Sequence, residues 1–77
     1  MSWEEIITDE DERKVFAALD GPNYTWRTLS AVARQTGLSE SRVEQILAKY
    51  NFKLTRRSEV PSISGQPLVG LIEKVGT

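Results

Sequence analysis

The side chains whose spacing suggests chemistry lie on one predicted helix, from Glu40 to Tyr50. At about 100° per residue, Ser41, Gln45 and Ala48 point to one side of that helix. The opposite side is an apolar stripe of Val43, Ile46, Leu47 and Tyr50. Arginine pairs well with guanine and glutamine with adenine, so Ser41, Arg42 and Gln45 predict contact with base edges in the major groove of a duplex.

The flanks of this helix carry opposite charges. Arg42 and Lys49 lie on one shoulder, and Glu40 and Glu44 lie on the other. We expect Lys49 to contact a phosphate, and we expect the same of Arg27, which lies near the start of the preceding helix. A solvated helix face with ordinary ion pairs explains the same pattern, and that alternative stays open.

Two further bases, Arg56 and Arg57, end a predicted strand. Because neighbouring strand residues point to opposite faces, only one of them can face a given partner. Phosphate or minor-groove contact is one interpretation, and an edge strand protected from aggregation by charge is the other. The candidate DNA contacts are therefore Arg27, Ser39, Ser41, Arg42, Gln45, Lys49, Arg56 and Arg57, with Ser39 also predicted to cap its helix.

Composition argues against catalysis and against a metal site. The 77 residues include no cysteine and no histidine, so the commonest nucleophile–base pairs and nearly all zinc sites are missing. The acids near the N-terminus are read as local, hydrated and helix-capping. We therefore expect no enzyme activity and no cofactor. No apolar run reaches membrane-spanning length, and we expect a cytoplasmic protein without a membrane partner.

Charge is unevenly distributed along the chain. The net charge is −1, but residues 1–20 carry seven acidic and two basic side chains. Residues 21–77 carry four acidic and eight basic side chains. The low overall pI argues against strong nucleic-acid binding, whereas the basic remainder could orient the protein on DNA.

Periodicity predicts the elements that hold these residues. A first helix starts at Thr8 or Asp9 and stops at Asp20-Gly21-Pro22. A second runs from Trp26 to about Thr36 with Thr25 as its cap, and Gly37 supplies the left-handed turn before the third, Glu40 to Tyr50. Strands are predicted over 52–58 and 68–75, joined by the turn-rich segment 59–67. We expect Phe16, Trp26, Tyr50 and Phe52 in the core. Residues 1–8 form either a loose arm or a short helical turn, and Trp3 either packs back or meets a partner.

Three helices followed by a β-hairpin resemble the winged helix-turn-helix superfamily, as found in MarR-like, ArsR-like and LexA-like bacterial regulators. The most specific segment is YTWRTLSAVARQTGLS, residues 24–39. The resemblance covers nearly the whole chain. It implies an α+β fold in one domain, 1–77, made of a three-helix bundle and a two-stranded wing, with a short third strand near Tyr24 left open. It further implies that the third helix reads the major groove and the wing touches the backbone or minor groove.

We therefore expect a bacterial transcriptional regulator that binds double-stranded DNA. A module this small makes few contacts, so we expect a homodimer or a protein partner to add specificity. The rival interpretation is a winged-helix protein–protein interaction module, which the low pI, Glu40 and Glu44 favour. RNA binding is a weaker alternative, since no stacking motif supports it.

Overall fold

The computed structural model describes residues 3–21, 25–63 and 65–75. In chain order the elements are α1 (Trp3–Ile6), α2 (Glu10–Leu19), β1 (Arg27–Thr28), α3 (Leu29–Thr36), α4 (Glu40–Tyr50), β2 (Thr55–Arg57), β3 (Leu68–Leu71) and α5 (Ile72–Val75). The strands form one antiparallel sheet in the order β1-β3-β2. The predicted α+β class is confirmed.

The two best-predicted helices begin at side-chain caps. Asp9 accepts a hydrogen bond from the Glu12 amide at 3.0 Å, and Ser39 accepts one from the Arg42 amide at 3.1 Å. Each cap satisfies a backbone donor that the first helical turn leaves unpaired. α4 has the predicted limits, and Gly37 between α3 and α4 adopts the left-handed conformation with φ 76°. The turn that orients α4 is therefore the one that the sequence predicts.

The start of α3 was predicted incorrectly. The helix begins at Leu29 rather than Trp26, and its cap is Thr28, whose hydroxyl accepts from the Ala31 amide at 3.2 Å. Arg27 and Thr28 are extended because they pair with β3 as strand β1. The third strand, which the sequence left open near Tyr24, thus occurs at Arg27–Thr28, and Tyr24 itself lies outside the described residues.

Both predicted hairpin strands are shorter than expected. Phe52 has φ 64°, and the amides of Lys53 and Leu54 donate to the Tyr50 carbonyl, so a tight turn delays β2 until Thr55. Thr55 pairs with Leu71, and the Ile72 amide then donates to the Leu54 carbonyl at 2.9 Å. Because no extended residue of β2 lies opposite Ile72, β3 ends at Leu71 and residues 72–75 form helix α5. The predicted strand over 68–75 is therefore wrong beyond Leu71.

At Gly70, other parts of the chain pack closely against strand β3. A β-carbon added there would fall 2.6 Å from the Thr25 carbonyl oxygen and 2.9 Å from a methyl carbon of Val75. Glycine therefore lets the segment before β1 and helix α5 both pack against the middle of the sheet. Side chains at this position would push one of them away.

The core lies between α1, the three longer helices and the sheet. Its buried apolar residues are Trp3, Ile7, Val15, Phe16, Ala18, Leu19, Val32, Ala33, Val43, Ile46, Leu47, Val69 and Leu71. Trp3 packs 5.8 Å from Phe16 between ring centroids, and its indole donates to Asp20 at 3.0 Å. Residues 3–6 are thus a packed helical turn rather than a loose arm. Phe52 was expected in this core but is 78% exposed, because its turn points it outward, and Trp26 is only half-buried.

Candidate functional site

α4 presents a polar outer face beside the start of α3. Ser41, Gln45 and Ala48 are exposed, whereas Val43, Ile46 and Leu47 are buried against the core. A shallow groove of about 390 Å³ runs along this face, lined by Leu29, Glu40, Ser41, Glu44 and Gln45. The helical wheel therefore placed the outward residues correctly. Ser39 is exposed as well, but its hydroxyl is engaged in capping the helix.

Arg42 is turned toward the first turn of α2. Its Nη2 lies 3.7 Å from an Asp9 carboxylate oxygen, and its Nε lies 3.4 Å from one of Asp11. The Arg42 side chain is 38% exposed, and those of Asp9 and Asp11 are 50% and 40% exposed. The guanidinium predicted to read a base edge is thus held at the rim of the α4 face by two solvated acids.

Lys49 is bound in a different environment. Its Nζ donates to Glu12 at 2.8 Å, and the Tyr50 hydroxyl donates to the other Glu12 oxygen at 2.5 Å. The Glu12 side chain is 8% exposed, whereas that of Lys49 is 60% exposed. The ring of Tyr50 packs edge-on against Phe16, with 5.3 Å between centroids. This cluster therefore joins the C-terminal half of α4 to α2 and to the core.

Ionisation in that cluster follows from these contacts. Burial acts to raise the pKa of Glu12, but the hydrogen bonds from Lys49 and Tyr50 and the charge of Lys49 outweigh it, so its pKa lies below the ordinary value. The hydrogen bond to Glu12 raises the pKa of Lys49. Burial, together with the Glu12 hydrogen bond and charge, raises the pKa of Tyr50. At neutral pH the carboxylate and the ammonium are both charged and the phenol is protonated.

The hairpin reaches α4 through Arg57, which is hydrogen-bonded and ion-paired to Glu44. Its neighbour Arg56 lies on β2 opposite Gly70 and is half-buried. Arg27, on the opposite edge strand, donates to the Ala18 carbonyl at 3.2 Å and to the Gln35 side chain. Arg42, Lys49 and Arg57 among the predicted contact bases are therefore each bound to an acid of this chain.

The loop between β2 and β3 is compact and carries no base. The Gly65 amide donates to the Ser62 carbonyl at 2.8 Å, and Ser30 at the start of α3 donates to the Gln66 side chain at 2.7 Å. Val60 and Ile63 project from it into solvent. Residues 58–67 include one acid, Glu59, and no lysine or arginine, so this loop offers apolar surface and no positive charge for a phosphate.

Sequence reasoning missed the role of the acids on α2. Asp9, Asp11 and Glu12 were interpreted as hydrated, helix-capping residues; Asp9 is a cap, but all three bind cations of α4. The helical period of α2 does predict that Glu12 is buried. It precedes Val15 by three residues and Phe16 by four, which places it on the buried face of the helix.

The described residues contain no grouping of metal-ligating side chains and no membrane-spanning helix. Among them, no three histidine, cysteine, aspartate or glutamate side chains are grouped so that they could hold a metal ion. No helix in that part of the chain has the length and apolar character needed to cross a membrane. Comparisons of this chain with protein-family models, curated proteins and solved structures find no match.

Proposed function

We propose that this chain is a winged helix-turn-helix domain that binds double-stranded DNA. In this proposal α3, the Gly37 turn and α4 are the helix-turn-helix, α4 enters the major groove, and the β2–β3 hairpin is the wing. The order of elements from α2 to β3 and the β1-β3-β2 sheet support the assignment. Such a domain would act as a transcriptional regulator in a bacterial cytoplasm.

The observation that carries the proposal is the composition of the α4 outer face. Ser41 and Gln45 are exposed at its centre, and the Arg57–Glu44 contact brings the hairpin to the same helix. A protein reads base edges with exposed polar side chains on a helix of this kind and contacts phosphates from the elements beside it. Here both parts lie on one side of the molecule.

The ion pairs weaken DNA binding without preventing it. Arg42 and Arg57 face acids whose side chains are 40–50% exposed. Exposed pairs of this kind contribute about 0–1 kcal/mol each, so a phosphate can replace a carboxylate at small cost. We expect modest affinity with about four phosphate contacts, and hence a slope of roughly −3.6 for log affinity against log salt. A dimer or a partner would be needed for useful specificity.

One pair of variants tests the proposal directly. Gln45→Glu places a negative charge at the centre of the α4 face, and Ala17→Glu places the same charge on the exposed side of α2. In a fluorescence anisotropy titration with a random duplex at about 0.1 M salt, we expect Gln45→Glu to weaken binding at least tenfold. Ala17→Glu should cost little, because salt screens charges beyond about 10 Å at 0.1 M.

Equal losses of DNA affinity in the two variants would show that α4 is not the binding face. If the wild-type protein does not bind the duplex even at low salt, the proposal is contradicted.

A protein-interaction module is the second candidate function. It is favoured by the exposed apolar side chains of Val60 and Ile63 on a part of the wing that carries no base. NMR shifts at these residues on adding a protein partner, with none on adding DNA, would support it.

A further inference from the structure

We call Arg42 and Lys49 the basic shoulder of α4. Acids at the start of α2 occupy the space that DNA phosphates would need in order to contact these two side chains. The Arg42 guanidinium is contacted on two nitrogens, Nη2 by Asp9 and Nε by Asp11. Lys49 Nζ is contacted by Glu12. The 2.8 Å contact of Lys49 has the length of a charge-assisted hydrogen bond, and the contacts of Arg42, at 3.4 and 3.7 Å, are looser ion pairs on nitrogens that a DNA phosphate would also use.

We propose that the first turn of α2 is a built-in competitor of DNA, which masks Arg42 and so lowers the affinity of α4 for any duplex. The inference rests on the proposed DNA-binding function. Asp9 and Asp11 act as mimics of backbone phosphates, and DNA binds Arg42 only by displacing them. The protein therefore binds DNA more weakly than its exposed α4 face allows.

The competition acts at Arg42 and spares Lys49. Asp9 and Asp11 are half-exposed, so each can return to water when Arg42 moves to a phosphate. Glu12 is buried, and removing Lys49 from it would leave an enclosed carboxylate without its cation, which is strongly unfavourable. Lys49 consequently stays with Glu12 in the bound state, and the exchange is confined to the N-terminal half of α4.

A charge-matched pair of variants separates masking from net charge. Asp11→Asn removes one carboxylate that contacts Arg42 and leaves the Asp9 cap intact. Glu10→Gln removes the same charge from the same helical turn, but Glu10 pairs with Lys14 on α2 at 3.9 Å. With a random duplex at about 0.1 M salt, where charges without direct contact are screened, we expect Asp11→Asn to tighten binding about three- to fivefold, the size of one exposed ion pair. Its salt slope should steepen by about 0.9, one released counterion.

We expect Glu10→Gln to stay within about twofold of the wild type, the limit for a screened charge without contact. An Arg42→Ala background supplies the second check, because Asp11→Asn should bring no gain there if masking of Arg42 is the cause. Equal gains in both acid variants would overturn the inference and leave DNA binding standing. Weaker binding by Asp11→Asn would also overturn it, since Asp11 would then position Arg42 for DNA. Absence of binding by wild type and every variant would instead refute the proposed function itself.

Discussion

Each half of α4 places one base against acids at the start of α2, but those acids differ in how far the fold encloses them. In the N-terminal half, residues 40–45, Arg42 meets solvated aspartates, and Ser41 and Gln45 face water. In the C-terminal half, residues 46–50, Lys49 meets a glutamate enclosed by the fold. Both bases were predicted as DNA contacts, Arg42 with a base edge and Lys49 with a phosphate. The structure separates them into one exchangeable surface pair and one pair that belongs to the packing of α4 on α2.

The difference shows that burial of the acid, rather than exposure of the base, decides what an ion pair does. Lys49 is more exposed than Arg42, yet it is the base that is bound more firmly to its acidic partner. A surface carboxylate regains its hydration when its partner leaves, whereas an enclosed one does not. Three experiments test this contrast between the halves of α4.

The largest effect is expected from the packing of the C-terminal half. Leu47 is fully buried, and Leu47→Ala should lower the free energy of unfolding by about 2–5 kcal/mol through lost burial and the cavity left behind. Gln45→Ala, two residues earlier and exposed, should change it by less than about 0.5 kcal/mol. Urea denaturation followed by circular dichroism measures both values. Comparable losses at the two positions would mean that the α4 outer face is not free surface.

A smaller effect is expected from the enclosed carboxylate. Glu12→Gln removes the charge that Lys49 neutralises and should cost about 1–3 kcal/mol, the range for a buried polar group that loses a partner. Because the folded-state pKa of Glu12 lies below its unfolded value, the stabilisation is present above pH 4.5. It is lost as the pH falls through the folded-state pKa.

The pH dependence supplies the control. The stability difference between wild type and Glu12→Gln should be constant near neutral pH and shrink as the solution is acidified below pH 4.5. Glu10→Gln, on the exposed side of the same turn, should change stability little at any of these pH values. A difference that persists unchanged in acid would show that Glu12 acts through its shape and hydrogen bonds alone.

Local signals in the sequence predicted the part of the fold that carries the site. Ser39 and Gly37 fix the start of α4 and the turn before it through their own backbone and hydroxyl chemistry, so the helix limits and its outward residues were predicted correctly. Asp9 fixed α2 in the same way. Such caps need no knowledge of the rest of the chain.

The errors occur where distant parts of the chain decide the outcome. Thr28 becomes a strand residue and a cap because β3 lies beside it, and Ile72 leaves the sheet because the turn at Phe52 shortens its partner strand. The partners of Arg42 lie more than thirty residues earlier on another helix. Helical period placed Arg42 on a shoulder, but no local pattern could show which acids would meet it there.

The smallest expected effect on stability is a difference between two serines at the start of α4. Ser39→Ala removes the cap that accepts the Arg42 amide and should lower the free energy of unfolding by about 1 kcal/mol. Ser41→Ala, exposed and one residue inside the helix, should leave stability within about 0.5 kcal/mol of wild type. If α4 binds DNA, the ranking reverses in an anisotropy titration, because Ser41 faces the groove while the Ser39 hydroxyl already accepts a backbone hydrogen bond. Loss of DNA affinity at Ser39 alone would mean that the helix end, rather than the α4 outer face, contacts the duplex.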